Sequence, residues 1–159
     1  MSGTAVIYHS YHGNARAVAE ALAADTGADL YELSLPGLGG LTGFRMYFRL
    51  GYLATFRRKP RIEGGDVDIS EYENLIFGTP VWSGTFSPAL RTFLSGRVPI
   101  RAKRVGAFIC HKGGPRRTAT DLARAVGAGG ELFVVDGIDP AANGTAVEMA
   151  RGLIAKMGL

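Results

Sequence analysis

The residues best suited to hold a ligand fall in three short segments rich in glycine or hydroxyl side chains. The first is His9-Ser10-Tyr11-His12-Gly13-Asn14-Ala15. A glycine-containing turn that runs into a helix start presents backbone N–H groups at a positive dipole end, which suits a phosphate. Ser10 and Asn14 add side-chain donors. The second segment, Gly78-Thr79-Pro80-Val81-Trp82-Ser83-Gly84-Thr85-Phe86-Ser87-Pro88, carries the chain's single tryptophan. A large ring in such a loop, beyond a strand end, is poorly placed for a core and well placed to flank a planar ligand. The third is Cys110-His111-Lys112-Gly113-Gly114-Pro115. Its two glycines let the backbone approach a ligand closely, and Lys112 and His111 supply positive charge. Each segment also has a plain structural reading: a tight strand-to-helix turn, a tryptophan capping the helix below, and glycines that relieve a turn.

Other chemistries compete for the same residues. Cys110 and Arg116 have the spacing of a cysteine-dependent phosphatase, in which a loop of N–H groups lowers the thiol pKa and the arginine clamps phosphate. Against it, Arg117 stands where a hydroxyl residue is expected, and no acid lies nearby in sequence. His9, His12 and His111, with Cys110, invite a metal. Strands one and four, however, would be two steps apart in the sheet, roughly 10 Å, which straddles a flat ligand better than it encloses an ion. Gly37-x-Gly39-x-x-x-Gly43 hints at a dinucleotide turn, but Arg57-Arg58-Lys59-Pro60 occupies the place of the ribose-binding acid. A phospho-acceptor receiver needs aspartates at the first and third strand ends, where this chain has His9 and Gly78-Thr79.

The elements that must position these segments are legible. Thr4–Tyr8, Ala28–Leu33, Asn74–Phe77, Val105–Cys110 and Leu132–Val135 read as strands. Asn14–Ala24, Pro88–Leu94, Arg116–Val126 and Thr145–Met157 read as helices. Ala17, Val18, Ala21 and Leu22 are expected on the inner face of the first helix, and Val147, Ala150, Leu153, Ile154 and Met157 on that of the last. Ser87 as N-cap, Pro88 in the first turn and Gly96 past the end delimit the clearest helix. Strand–helix alternation of this kind predicts an α/β fold of three layers, αβα, around a five-stranded parallel sheet of order 2-1-3-4-5. Ligands of such sheets bind outside the C-terminal strand ends, where all three segments fall. Leu35–Asp66 is the least regular stretch. It opens with Pro36-Gly37-Leu38-Gly39-Gly40 and continues as a helix around Phe44–Leu53, with Arg45 and Arg49 on the outer side.

The chain of 159 residues, 47% of them apolar, has the size of one domain, read as spanning 1–159. A single cysteine excludes an intrachain disulfide and all-thiolate metal clusters. Net charge is +4, a mild excess that favours phosphorylated ligands or acidic partners and does not by itself imply nucleic acid. With no basic n-region and no apolar run of membrane-spanning length, a cytoplasmic location without a membrane partner is expected.

Ile7-Tyr8-His9-Ser10-Tyr11-His12-Gly13-Asn14 resembles the phosphate loop of the flavodoxin family. Phe77-Gly78-Thr79-Pro80-Val81-Trp82-Ser83-Gly84-Thr85 is similar to the flavin-ring loop of its reductase branches. The resemblance covers nearly the whole chain and implies a flavodoxin-like fold with non-covalent FMN. It assigns Ser10, Gly13 and Asn14 to the FMN phosphate, with His12 and Ala15 standing where the family usually has hydroxyl residues. It assigns Thr79, Pro80, Val81, Trp82, Ser83 and Gly84, with His111, Lys112, Gly113 and Gly114, to the surroundings of the ring. The third loop lacks the tyrosine that commonly stacks on the ring in one-electron flavodoxins. That lack favours a reductase working with NAD(P)H over an electron carrier and leaves room for a homodimer to close the site. A scaffold without flavin and the cysteine phosphatase stay behind these two readings.

Overall fold

A computed structural model describes residues 3–38, 42–97, 100–127 and 131–159. Gly39 and Gly40 of the expected glycine-rich turn lie outside the described residues. Five strands, β1 (Thr4–His9), β2 (Asp29–Leu33), β3 (Asn74–Trp82), β5 (Arg104–His111) and β6 (Leu132–Ile138), pair in parallel in the order β2-β1-β3-β5-β6. This is the expected order, the fourth and fifth parallel strands being β5 and β6. The addition is β4 (Thr85–Phe86), which folds back antiparallel on the end of β3.

Period-2 alternation divides the core into two halves. Odd-numbered residues of the central strands, Ala5, Ile7, Leu75, Phe77, Val105 and Ala107, pack against Leu90, Phe93 and Leu94 of α3 (Pro88–Leu94) and Leu122 and Val126 of α4 (Thr118–Val126). Met46 brings α2 (Phe44–Thr55) onto this face. Even-numbered Val6, Tyr8, Ile76, Phe108 and Cys110 meet α1 (Asn14–Thr26) and α5 (Ala146–Met157) on the other. Gly78 is required at this second face, because a Cβ there would fall 2.1 Å from the Phe108 ring.

Helix register departs from expectation in two places. The buried stripe of α1 is Ala15, Val18, Ala19 and Leu22, with Ala17 and Ala21 only half-buried. In an alanine-rich helix, two neighbouring stripes are about equally apolar, and contact with the sheet chooses between them. In α5, Met149 takes the inner position and Val147 is 49% exposed. Met149 sulfur fills the space that Gly137 of β6 leaves open, so shape at the sheet edge decides that register. α3 is as expected: Ser87 Oγ accepts from Leu90 N–H at 3.2 Å, with Pro88 in the first turn.

Candidate functional site

At the C-terminal edge of the sheet, the three loops enclose one cavity of about 390 Å³, within the size range of small-molecule sites. Ser10, His12, Asn14 and Ala15 line it from the first loop, Pro80 to Gly84 from the second, and His111 to Gly114 from the third. Thirteen of the fifteen expected site residues therefore come together here; Gly13 and Thr79 are the two that do not. Gly13 acts through conformation, since its φ of 85° lets the chain turn into α1. Thr79 is fully buried, and its hydroxyl accepts from Ser87 N–H at 2.9 Å, bracing β3 against the start of α3.

The first loop is organised around the start of α1. Ser10 Oγ accepts from Arg16 N–H at 3.2 Å, and Ala17 N–H reaches Gly13 carbonyl at 3.0 Å. A helix start leaves its first amides without intrahelical acceptors, so those of Asn14 and Ala15 stand at the cavity. The Asn14 side chain is already engaged: Nδ2 donates to Asp139 Oδ1 at 3.2 Å, and Oδ1 accepts from Ala141 N–H at 3.0 Å. It ties α1 to the loop after β6, and one Nδ2 hydrogen is left for a ligand.

The second segment is strand and hairpin rather than open loop. β3 continues through Trp82, and Ser83-Gly84, with φ of 50° and 76°, makes the two-residue turn into β4. Trp82 is only 9% exposed and belongs to the core cluster as well as the cavity wall. The expectation that it lies outside the core is thus corrected: pairing of Trp82 with Thr85 carries its ring over the end of the sheet. Ser83 Oγ donates to Gly51 carbonyl at 3.2 Å and accepts from Thr55 Oγ1 at 3.0 Å, which anchors the hairpin to α2.

In the third loop His111 is buried and serves as a strut. Its Nδ1 accepts from Gly114 N–H at 3.0 Å, so the proton sits on Nε2, which is 2.8 Å from Asp136 Oδ2. Both ring nitrogens are thus engaged within the protein, so His111 braces the third loop from Gly114 to Asp136. Lys112 and, beyond expectation, Arg116 bring charge to the cavity.

Four lining residues escaped the sequence reading of the site: Tyr11, Cys110, Arg116 and Asp139. Tyr11 and Cys110 lie inside the quoted segments, where Cys110 enters only the rival phosphatase and metal readings. Arg116 follows the third segment directly, whereas no sequence signal marks Asp139. Tyr11 sits edge-to-face with Trp82, ring centres 6.1 Å apart, so an aromatic ring reaches the cavity from the first loop although the third has none. Asp139, Arg116 and Ser83 have φ of 38°, 51° and 50°, and all three line the cavity. Left-handed backbone at non-glycine residues tends to cluster where geometry serves a ligand.

The rival chemistries fare differently. Burial, with Asp139 nearby, pushes the Cys110 thiol up to about 12, the reverse of what a thiolate nucleophile needs. His9 lies buried in β1 on the face opposite Tyr8 and does not line the cavity, and burial lowers its pKa to about 4. Among the described residues, no group of three or more His, Cys, Asp or Glu side chains could hold a metal ion.

No family model matches the sequence, and no curated protein matches it. Solved structures do. A flavoprotein from Lactobacillus acidophilus, crystallised in complex with FMN, is 19% identical with a TM-score of 0.70, over 91% of this chain and 98% of that one. A candidate flavoprotein from Bacteroides eggerthii is 22% identical with a TM-score of 0.76, over 99% of this chain and 98% of that one. A flavodoxin from the domain Archaea is 14% identical with a TM-score of 0.51, over 96% of this chain and 99% of that one. With the strand order β2-β1-β3-β5-β6 and helices on both faces, these likenesses establish that the chain has the flavodoxin-like fold.

Proposed function

We propose that the cavity binds FMN without a covalent link and that the protein is an FMN-dependent oxidoreductase using NAD(P)H. The observation that carries this reading is the convergence of the phosphate-type loop, the Trp82 hairpin and the glycine loop on one cavity. The donor set fits the cofactor. The α1 start, Ser10 and Asn14 would hold the phosphate, while Lys112 and Arg116 bring positive charge to the third-loop and hairpin side of the cavity. Pro80, Val81, Trp82 and Tyr11 offer apolar and aromatic walls, while Gly84, Gly113 and Gly114 admit a planar group close to the backbone. The FMN-bound structure from L. acidophilus supports the same assignment by likeness of fold.

Bound FMN would supply the electron chemistry, and the protein's part is binding, orientation and electrostatics. His111 fixes the third loop through Gly114, and Asn14 holds the loop after β6 against α1, so both walls are braced before a ligand arrives. No side chain of the cavity is assigned as general acid or nucleophile. Among the described residues no helix is long and apolar enough to cross a membrane.

A one-electron carrier is the second reading, favoured by one observation: Tyr11 supplies from the first loop the ring that the third lacks. Reconstitution with FMN followed by desalting should leave a yellow protein, with riboflavin held less tightly because it lacks the phosphate. A colourless product with no change in flavin fluorescence on titration would reject the flavin assignment. Anaerobic mixing with NADH or NADPH then separates the two readings. Bleaching of the flavin absorbance supports the oxidoreductase, and absence of reaction with either supports the carrier.

A further inference from the structure

Outside the cavity, the most unusual feature of the surface is the outer face of α2. Phe44, Phe48, Tyr52 and Phe56 are spaced by four residues and are 82%, 68%, 44% and 61% exposed. At about 100° per residue this spacing forms one slowly drifting stripe. The rings keep company with one another: Phe44 stacks on Phe48 with centres 6.3 Å apart, and Tyr52 lies 4.8 Å from Phe56. The helix spends Met46 on the core, so the aromatic stripe is surplus to folding. Contiguous exposed apolar surface of this kind marks an interaction site.

The charged residues of this segment are of one sign. Arg45, Arg49, Arg57, Arg58, Lys59 and Arg61 are all exposed. Between Glu32 and Glu63 the sequence contains no acidic residue. Such a surface is complementary to an anionic partner and repels a second copy of itself. Phe44, Phe48 and Tyr52 share one open surface depression with Arg45 and Arg49, so apolar rings and positive charge meet an incoming surface together. A fluid anionic lipid interface engages both at once, accepting aromatic side chains at headgroup depth beside its charged headgroups.

We infer that the outer face of α2 is a membrane-surface binding site, which docks the protein on anionic lipid by its aromatic stripe and flanking arginines. The helix would lie in the plane of the interface, inserting its rings and crossing nothing. The bond from Ser83 to Gly51 ties α2 to the wall of the cavity, so docking would bring the Trp82 hairpin side of the cavity next to the membrane. This inference does not depend on the flavin assignment, and its test needs no flavin.

The test is flotation of the full chain with vesicles of phosphatidylcholine alone and with vesicles holding roughly 30% phosphatidylserine. The wild type should bind the anionic vesicles at least about tenfold more tightly, and raising the salt to roughly 0.5 M should release it. Arg45→Gln with Arg49→Gln should weaken binding by roughly tenfold or more, since each basic residue near such a surface contributes about fivefold. Phe44→Ser with Phe48→Ser should weaken it to a similar degree by removing inserted apolar area. Both pairs alter exposed side chains, and circular dichroism should show an unchanged fold. Equal binding to the two vesicle types, or insensitivity to both double variants, would overturn the inference. So would an aromatic-dependent dimer in sedimentation without vesicle binding, or retention of polyglutamate without vesicle binding, which would assign the face to a second copy or to an acidic protein.

Discussion

Truncating Trp82 should remove stability as well as ligand affinity. The ring is 9% exposed, lies in the core cluster with Phe86 and Met46, and also faces the cavity. Large-to-small changes at buried aromatics cost about 3–5 kcal/mol through lost burial and the void left behind. Trp82 stands at the rim of a cavity that water can enter, so about 3 kcal/mol is the expected loss for Trp82→Ala. With a urea dependence of about 2 kcal/mol per molar for a domain of this size, the unfolding midpoint should fall by about 1.5 M. The assay is urea unfolding followed by circular dichroism, because the variant has no tryptophan left to report. Trp82→Phe is the companion variant: it keeps an aromatic ring against the core and should lose only about 1 kcal/mol. In the wild type, emission of this single tryptophan should be strongly quenched by FMN, and Trp82→Phe should bind FMN more tightly than Trp82→Ala. A midpoint for Trp82→Ala within experimental error of the wild type would refute the placement of this ring in the core. Normal FMN affinity in both variants would refute its place in the binding site.

Three further outcomes are expected. His9 titrates near 4 in the folded protein and near 6.5 unfolded, so stability should be complete above pH 6.5 and fall as the pH drops towards 4. The fall should total about 3 kcal/mol, and His9→Leu should flatten this part of the pH–stability curve. Cys110, whose thiol is raised to about 12 by burial, should resist alkylation at pH 8 in the native state, and Cys110→Ser should retain FMN binding; a phosphomonoesterase activity lost in that variant would restore the phosphatase reading. Lys112 at the cavity should favour added negative charge, so Lys112→Gln should lower the reduction potential of the bound flavin by on the order of tens of millivolts in an anaerobic titration.

The fold class and the location of the site were legible because both rest on local patterns. Apolar runs of strand length alternate with amphipathic stretches, and that alternation alone calls for a parallel sheet covered on both faces. Ser87 and Pro88 mark a helix start through chemistry confined to four residues, and the structure shows the bond they predict. The three ligand-edge segments lie at the C-terminal ends of β1, β3 and β5, so the sheet delivers them to one edge whatever the details of packing.

Tertiary structure decided what local patterns leave equivalent. Nothing within α1 distinguishes a stripe through Ala17 and Ala21 from one through Ala15 and Ala19; the sheet beneath makes the choice. Val147 and Met149 are both apolar, and only the space over Gly137 selects the methionine. Trp82 and Thr79 read as loop residues because glycine, proline and serine surround them. Pairing with β5 carries β3 on to Pro80, and β4 pairs with its last two residues, which buries Trp82 and turns the Thr79 hydroxyl to Ser87. Asp139 enters the cavity wall from 125 residues beyond Asn14 through a hydrogen bond between them. Sequence carries what repeats along the chain, whereas contacts between distant segments depend on shapes that exist only once the layers have closed.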